Sequence, residues 1–158
     1  LVWSAEGALL AMATENSIVF YDGGSGRELH RLDPDGLVYS MRFSPDGRTL
    51  VSGQDDFDVT FWDARRGTLL ARVASSHQEG VYDFAFSPDG RTLASVVDQV
   101  KLWSLATRQE VSTLSGHERN IYSALFSPHG NLLVTADYGG AMRLWSALPF
   151  DAIDGSNR

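Results

Sequence analysis

A period of about forty residues runs through the chain, and it limits the fold more than any other feature of the sequence. Phe43-Ser44-Pro45-Asp46-Gly47-Arg48-Thr49-Leu50 recurs letter for letter as Phe86 to Leu93. A weaker copy is Phe126-Ser127-Pro128-His129-Gly130-Asn131-Leu132-Leu133, and a more distant one is Trp3-Ser4-Ala5-Glu6-Gly7. The copies start at 3, 43, 86 and 126, at intervals of 40, 43 and 40. A second marker keeps the same step: Tyr21-Asp22, Trp62-Asp63, Trp103-Ser104 and Trp145-Ser146, at intervals of 41, 41 and 42. Two independent markers in phase mean four copies of one supersecondary unit. Such a unit cannot bury its apolar surface alone and must stack on its neighbours.

Each unit reads as four short strands. In the second, Val38 to Phe43 is an apolar and aromatic strand, and Ser44-Pro45-Asp46-Gly47 is a turn. There Pro fixes φ, Asp caps the turn and Gly accepts positive φ. Thr49 to Gly53 and Val59 to Trp62 follow as strands, with Thr60 and Trp62 on one face and Val59 and Phe61 on the other. Arg65-Arg66-Gly67 turns the chain into a fourth strand, Leu69 to Val73. No window carries a helical period of ten residues or more, so the expected class is all-β.

Composition narrows the function. Of 158 residues 13 are Lys or Arg and 20 are Asp or Glu, a formal net charge of −7. That balance argues against a nucleic-acid binder, which needs a basic face, and against docking on anionic lipid. With no cysteine there is no disulfide, thiolate metal site or cysteine nucleophile. The longest apolar run is about six residues, too short to span a bilayer. The chain is 43% hydrophobic and 21% charged, as a folded domain is. It opens Leu-Val-Trp-Ser, without Met or a basic leader, which reads as the interior of a longer protein.

The Phe-Ser-Pro-Asp-Gly turn, the Trp-Asp at the end of the third strand and Gly116-His117 before a first strand resemble the WD40 repeat over nearly the whole chain. The resemblance implies a β-propeller with one four-stranded blade per unit around a channel. The blades then run roughly 1–32, 38–73, 81–114 and 121–147, with 148–158 as a tail. It also implies a buried network in each blade, joining a His before the first strand, a Ser or Thr in the second, an Asp in the next turn and the Trp. Buried polar groups must be satisfied, and a complete network specifies one packing. His77, Ser95, Asp98 and Trp103 fill the four roles in the third unit. The second has Ser52, Asp56 and Trp62, with Pro34 in place of His. The fourth has His117, Thr135 and Trp145, with Gly139 in place of Asp. The first is degenerate, with Ala11, Glu15 and Tyr21, and is expected to be the least rigid. Although His77, Ser95 and Asp98 include each residue type of a hydrolytic triad, a nucleophilic Ser needs an exposed sharp turn, whereas Ser95 lies inside a strand.

Other places for chemistry are weak. The four His have no close ligand spacing. Asp55-Asp56-Phe57-Asp58 is acidic but lacks the spacing and distal Glu of a calcium loop. Gly23-Gly24-Ser25-Gly26 lacks the residues that follow a phosphate-binding loop and reads as a turn. Arg65-Arg66 reads as a solvated pair. No metal, cofactor or catalytic residue is expected. Tyr39, Tyr82 and Tyr122 stand out because they hold one position in three successive units, each after an apolar residue. In WD40 proteins that position tends to reach the top face, where partners dock. Such a Tyr gives a stiff contact area with a hydrogen-bonding tip, or simply roofs its blade. Asp55, Asn120 and Tyr138, with Gly80 and Leu37, are expected beside the tyrosines, suiting a protein or peptide partner with basic and apolar residues.

The fourth unit has three clear strands. After Trp145, Pro149 and thin apolar content make a regular fourth strand doubtful. Rings of this family commonly have about seven blades, so the expectation is an arc of a larger propeller completed by the same longer chain or another chain. Pairing of two arcs and a closed four-blade ring are the alternatives. The expected function is a non-enzymatic interaction scaffold, the binding or sensing part of a larger multidomain protein or complex, in an intracellular, cytoplasmic setting. The alternative is a hydrolytic or metal-dependent propeller enzyme with its site at the channel.

Overall fold

The computed structural model describes residues 1–75, 77 and 79–146. The expected boundary at 147, the tail 148–158 and the doubtful strand after Trp145 lie outside the described residues. Four antiparallel sheets follow one another along the chain, and no described residue is helical. The first sheet holds β1 (Val2–Trp3), β2 (Leu9–Ala13), β3 (Ile18–Asp22) and β4 (Glu28–Leu32). The second holds β5 (Val38–Phe43), β6 (Thr49–Gln54), β7 (Val59–Asp63) and β8 (Thr68–Val73). The third holds β9 (Asp83–Phe86), β10 (Thr92–Val96), β11 (Val100–Ser104) and β12 (Gln109–Leu114). The fourth holds β13 (Ile121–Phe126), β14 (Leu132–Asp137) and β15 (Met142–Ser146). Within each sheet the order in space is the order in sequence, a meander.

The repeated turn explains why the first two strands pair in register. The Ser44 hydroxyl donates to Asp46 Oδ1 at 2.6 Å and accepts the Thr49 amide at 3.0 Å, while the Arg48 amide donates to the same Asp46 oxygen at 3.0 Å. Gly47 closes the turn at φ +65°, a conformation that costs glycine nothing. Ser87, Asp89 and Thr92 repeat the pattern within 0.1 Å. In the fourth sheet His129 takes the Asp position, and Ser127 bonds Asn131 Oδ1 at 2.9 Å instead.

Consecutive sheets pack face to face. Ala11, Ile18 and Phe20 of the first meet Phe43, Leu50 and Trp62 of the second. Val51, Val59 and Phe61 of the second meet Val81, Phe84, Leu93 and Trp103 of the third. Ala94, Val96 and Val100 of the third meet Ile121, Ala124 and Leu133 of the fourth. The lower ends of β1, β5, β9 and β13 converge, with Trp3, Phe43, Phe86 and Phe126 lining one cavity. They are the inner strands of a propeller arc. Its end faces are open: Leu125, Met142 and Leu144 of the fourth sheet are 65%, 68% and 65% exposed, and Leu1 and Trp3 of the first are exposed too. A closed four-blade ring would cover both faces.

Candidate functional site

Two polar constellations arise from the repeat, one buried and one on the surface. In the third blade, Trp103 Nε1 donates to Ser95 Oγ at 2.9 Å, His77 Nε2 lies 2.9 Å from the same hydroxyl and His77 Nδ1 lies 3.4 Å from Asp98 Oδ1. A carboxylate can only accept, so Nδ1 carries the proton and Nε2 accepts from Ser95. Burial of the imidazole pushes its pKa down to about 4 despite the pull of Asp98, keeping it neutral. Ser95 is fully buried under the indole, so its hydroxyl faces no open space.

The other blades vary this theme, and two assignments need correction. In the fourth, His117 Nε2 is 2.7 Å from Thr135 Oγ1, Trp145 Nε1 donates to that oxygen at 2.9 Å, and His117 Nδ1 is 2.7 Å from Asp137 Oδ2. The acidic role therefore belongs to Asp137, two residues after Thr135, and is not lost to Gly139. The imidazole's hydrogen bond holds the Asp137 carboxyl below its ordinary range, and the Gly139 and Ala141 amides add to that effect. In the second blade, Asp56 does not join the network. Trp62 Nε1 still donates to Ser52 Oγ at 2.8 Å, but buried Gln54 takes the place that Pro34 leaves empty. Its Nε2 donates to Ser52 Oγ at 2.9 Å and its Oε1 accepts from Thr60 at 3.1 Å. Asp56 turns outward to the Arg72 guanidinium, which also holds Asp35 at 2.9 Å and Asp58 at 3.1 Å.

The surface constellation is built by bulges. The β5–β6 pairing shifts register between Val38 and Ser40, and the β13–β14 pairing between Ile121 and Ser123. Tyr39 and Tyr122 are the inserted residues, and such an insertion turns a side chain out of the ladder. Tyr82 comes just before β9, its amide bonded to Val96 O at 3.1 Å. Tyr138, in the turn after β14, stands between two of them: its ring centroid is 5.2 Å from that of Tyr122 and 6.0 Å from that of Tyr82. Tyr39 lies one blade away, its ring over Gly80, where any Cβ would overlap it. Tyr39, Tyr122 and Tyr138 are 55%, 46% and 67% exposed.

Of the other residues expected here, Asn120 belongs to the cluster, donating to Glu79 Oε2 at 3.0 Å. Asp55 is occupied elsewhere, accepting the Leu37 amide at 3.1 Å. Glu79 was missed by sequence reasoning. The Tyr82 phenol donates to its Oε2 at 2.7 Å, and this bond to a carboxylate raises the phenol's pKa. Arg119 holds the matching place in the fourth unit, so the period carried no signal for Glu79. Among the described residues, no group of three or more His, Asp or Glu side chains is arranged to hold a metal ion.

A model of the family described as "WD domain, G-beta repeat" matches residues 26–63, 68–104 and 108–146. The chain belongs to the WD40 family. Each matched stretch starts on the outer strand of one blade (β4, β8 or β12) and continues through the three inner strands of the next. The WD40 match starts beyond the first three strands, in keeping with the degenerate markers there. The chain is similar to a protein named "Cell division cycle 20.1, cofactor of APC complex" from Arabidopsis thaliana, 32% identical over 76 residues. That stretch is 46% of this chain and 17% of the relative. A stretch of 54 residues is 35% identical to a protein named "Tricorn protease" from Thermoplasma volcanium, covering 34% of this chain and 5% of the relative. The chain thus spans a small part of either relative.

Proposed function

We propose that this WD40 segment is a non-enzymatic platform that holds a protein or peptide partner on its top face, within a larger protein or complex. The bulged tyrosine position carries the reading. Tyr39, Tyr82 and Tyr122 recur in successive blades, two of them at register shifts, and Tyr138 gathers two into one cluster. A solvated roof would not need exposed rings, and Tyr is a residue that interfaces favour for its rigid area. Similarity to a relative named as a cofactor of a complex supports the same reading. Replacing Tyr82 and Tyr122 together by Ala is expected to abolish partner capture while the melting temperature stays within a few degrees. Equal capture by the folded double variant would remove the top-face reading.

The exposed end faces support an arc completed by further blades. Each buried sheet pair covers the positions that Leu125, Met142 and Leu144 leave open on the fourth. Size-exclusion chromatography with light scattering on the isolated 158 residues is expected to show self-association. A sharp monomer that binds no apolar dye would contradict it. The match to a protease raises the alternative of an enzyme. Against that reading, in the Ser95, His77 and Asp98 set the hydroxyl and the imidazole are both buried inside a blade. Hydrolysis of a chromogenic ester or peptide panel that is lost on Ser95→Ala would favour the enzyme.

A further inference from the structure

The cluster of Tyr82, Tyr122 and Tyr138 has a carboxylate at its side, and that pairing selects among partners. We propose that these three rings and Glu79 form a receptor for an arginine side chain presented by the partner. This deepens the top-face reading and rests on it.

Two observations carry the inference. The first is the aromatic wall. Tyr138 meets Tyr82 edge-on at 89° and Tyr122 at 42°, so the three rings form a bent surface, with Tyr138 largely and Tyr122 about half open to solvent. Aromatic faces attract cations, and a guanidinium stacks on them better than an ammonium does. The second is the state of Glu79. Both of its bonds, from the Tyr82 phenol and Asn120 Nδ2, end on Oε2. Among the described residues nothing reaches Oε1. Glu79 is therefore oriented by two donors but not neutralised, because neither donor carries charge.

One cation of the protein itself, Arg119, lies close by, its side-chain stem against Gly139, the residue after Tyr138. It makes no ion pair with a described residue, so it does not fill the place. A net charge of −7 favours the approach of a cationic partner. A guanidinium has the right form for the site: its plane lies on a ring while its N–H groups donate to Oε1.

The test uses four alanine-based nonapeptides, whose central residue is arginine, lysine, citrulline or norleucine, titrated into the full-length protein while tyrosine ring signals are followed by NMR. The arginine peptide is expected to bind on the order of tenfold more tightly than its neutral citrulline counterpart. Lysine should fall between them. Glu79→Gln keeps an acceptor for Tyr82 and Asn120 but removes the charge, and it should erase the preference for arginine. Tyr138→Phe should retain it, and Tyr138→Ala should lose it. Equal binding of arginine and citrulline, a preference that survives Glu79→Gln, or ring signals that move with no peptide at millimolar concentration would each overturn the proposal. If the preference is absent while the Tyr82→Ala, Tyr122→Ala pair still abolishes partner capture, the arginine receptor falls and the top-face reading stands. If capture is also unaffected, both fall.

Discussion

Trp103, Ser95, His77 and Asp98 form a donor chain that runs in one direction, and every member depends on His77 being neutral. The indole donates to the hydroxyl, the hydroxyl to Nε2 and Nδ1–H to the carboxylate. A second proton on the ring would leave the hydroxyl facing another donor in a buried place. The folded pKa of His77 is about 4, and an unfolded histidine titrates near 6.5. Between those values the unfolded chain binds more protons, so the stabilising contribution is complete above about pH 6.5 and is lost as pH falls toward 4. His77→Gln should flatten the stability profile across that window relative to the parent in urea melts. Parallel profiles would contradict the neutral assignment. The residues of this network were legible because the repeat fixes both their type and their spacing. Gln54 and Asp137 were not. The second-to-third-strand turn is two residues shorter in the third blade, so its spacing does not carry over: Asp98 follows Ser95 by three residues, whereas Asp137 follows Thr135 by two. Pro34 removed the His that would have marked the second blade, and no pattern announces a glutamine as its substitute.

Strand positions were the most readable part of the chain, because alternation, Gly turns and the Trp marker agree. The register shifts were not readable. A bulge inserts a single residue, and its signature is a side chain pointing the wrong way for its neighbours, which a sequence read without its partner strand does not show. Tyr39 and Tyr122 were therefore visible as a periodic position, while the reason they leave the sheet was hidden. A similar limit applies to Gly53 in β6. It reads as an ordinary weak strand residue, yet a Cβ there would lie 2.7 Å from Val81 Cβ and 3.3 Å from the Phe84 ring of the next blade. Gly53→Ala must push two sheets apart along well-packed apolar surface, at a cost of about 1–3 kcal/mol. Calorimetry should show the loss, with Gly53→Ala costing less in a Val81→Gly background, where the Cβ it would meet is gone. An unchanged melting temperature for Gly53→Ala would mean that the sheets separate at little cost.

Blades of the whole molecule are held by more than apolar faces. Arg42 of β5 donates to Asp83 Oδ1 at 2.8 Å, and the other Asp83 oxygen accepts the Ala124 amide of β13 at 3.1 Å. Ser40 Oγ donates to Val81 O at 2.6 Å beside it. One carboxylate on the third blade thus ties the second to the fourth. Asp83→Ala removes both links and leaves Arg42 and a backbone amide without their acceptor, so it is expected to cost about 1–3 kcal/mol. Its effect should exceed that of Arg42→Ala, since Arg42 serves one boundary; equal losses would place the whole contribution at the Arg42 boundary. Nothing in the sequence set Asp83 apart from the other acidic residues, because its importance arises from which strands meet at the axis.

The offset between repeat and sheet makes the arc a series of lap joints. Each of β4, β8 and β12 is bonded along its length to one blade and leads by a short connection into the next. A blade cannot shed its outer strand without loosening the lead-in of its successor, and a pull on the chain loads two sheets at once. Damage at one joint therefore spreads to the next blade instead of stopping at a boundary. A cut inside any connection between an outer strand and the following inner strand is the break that leaves both sheets with all their strands.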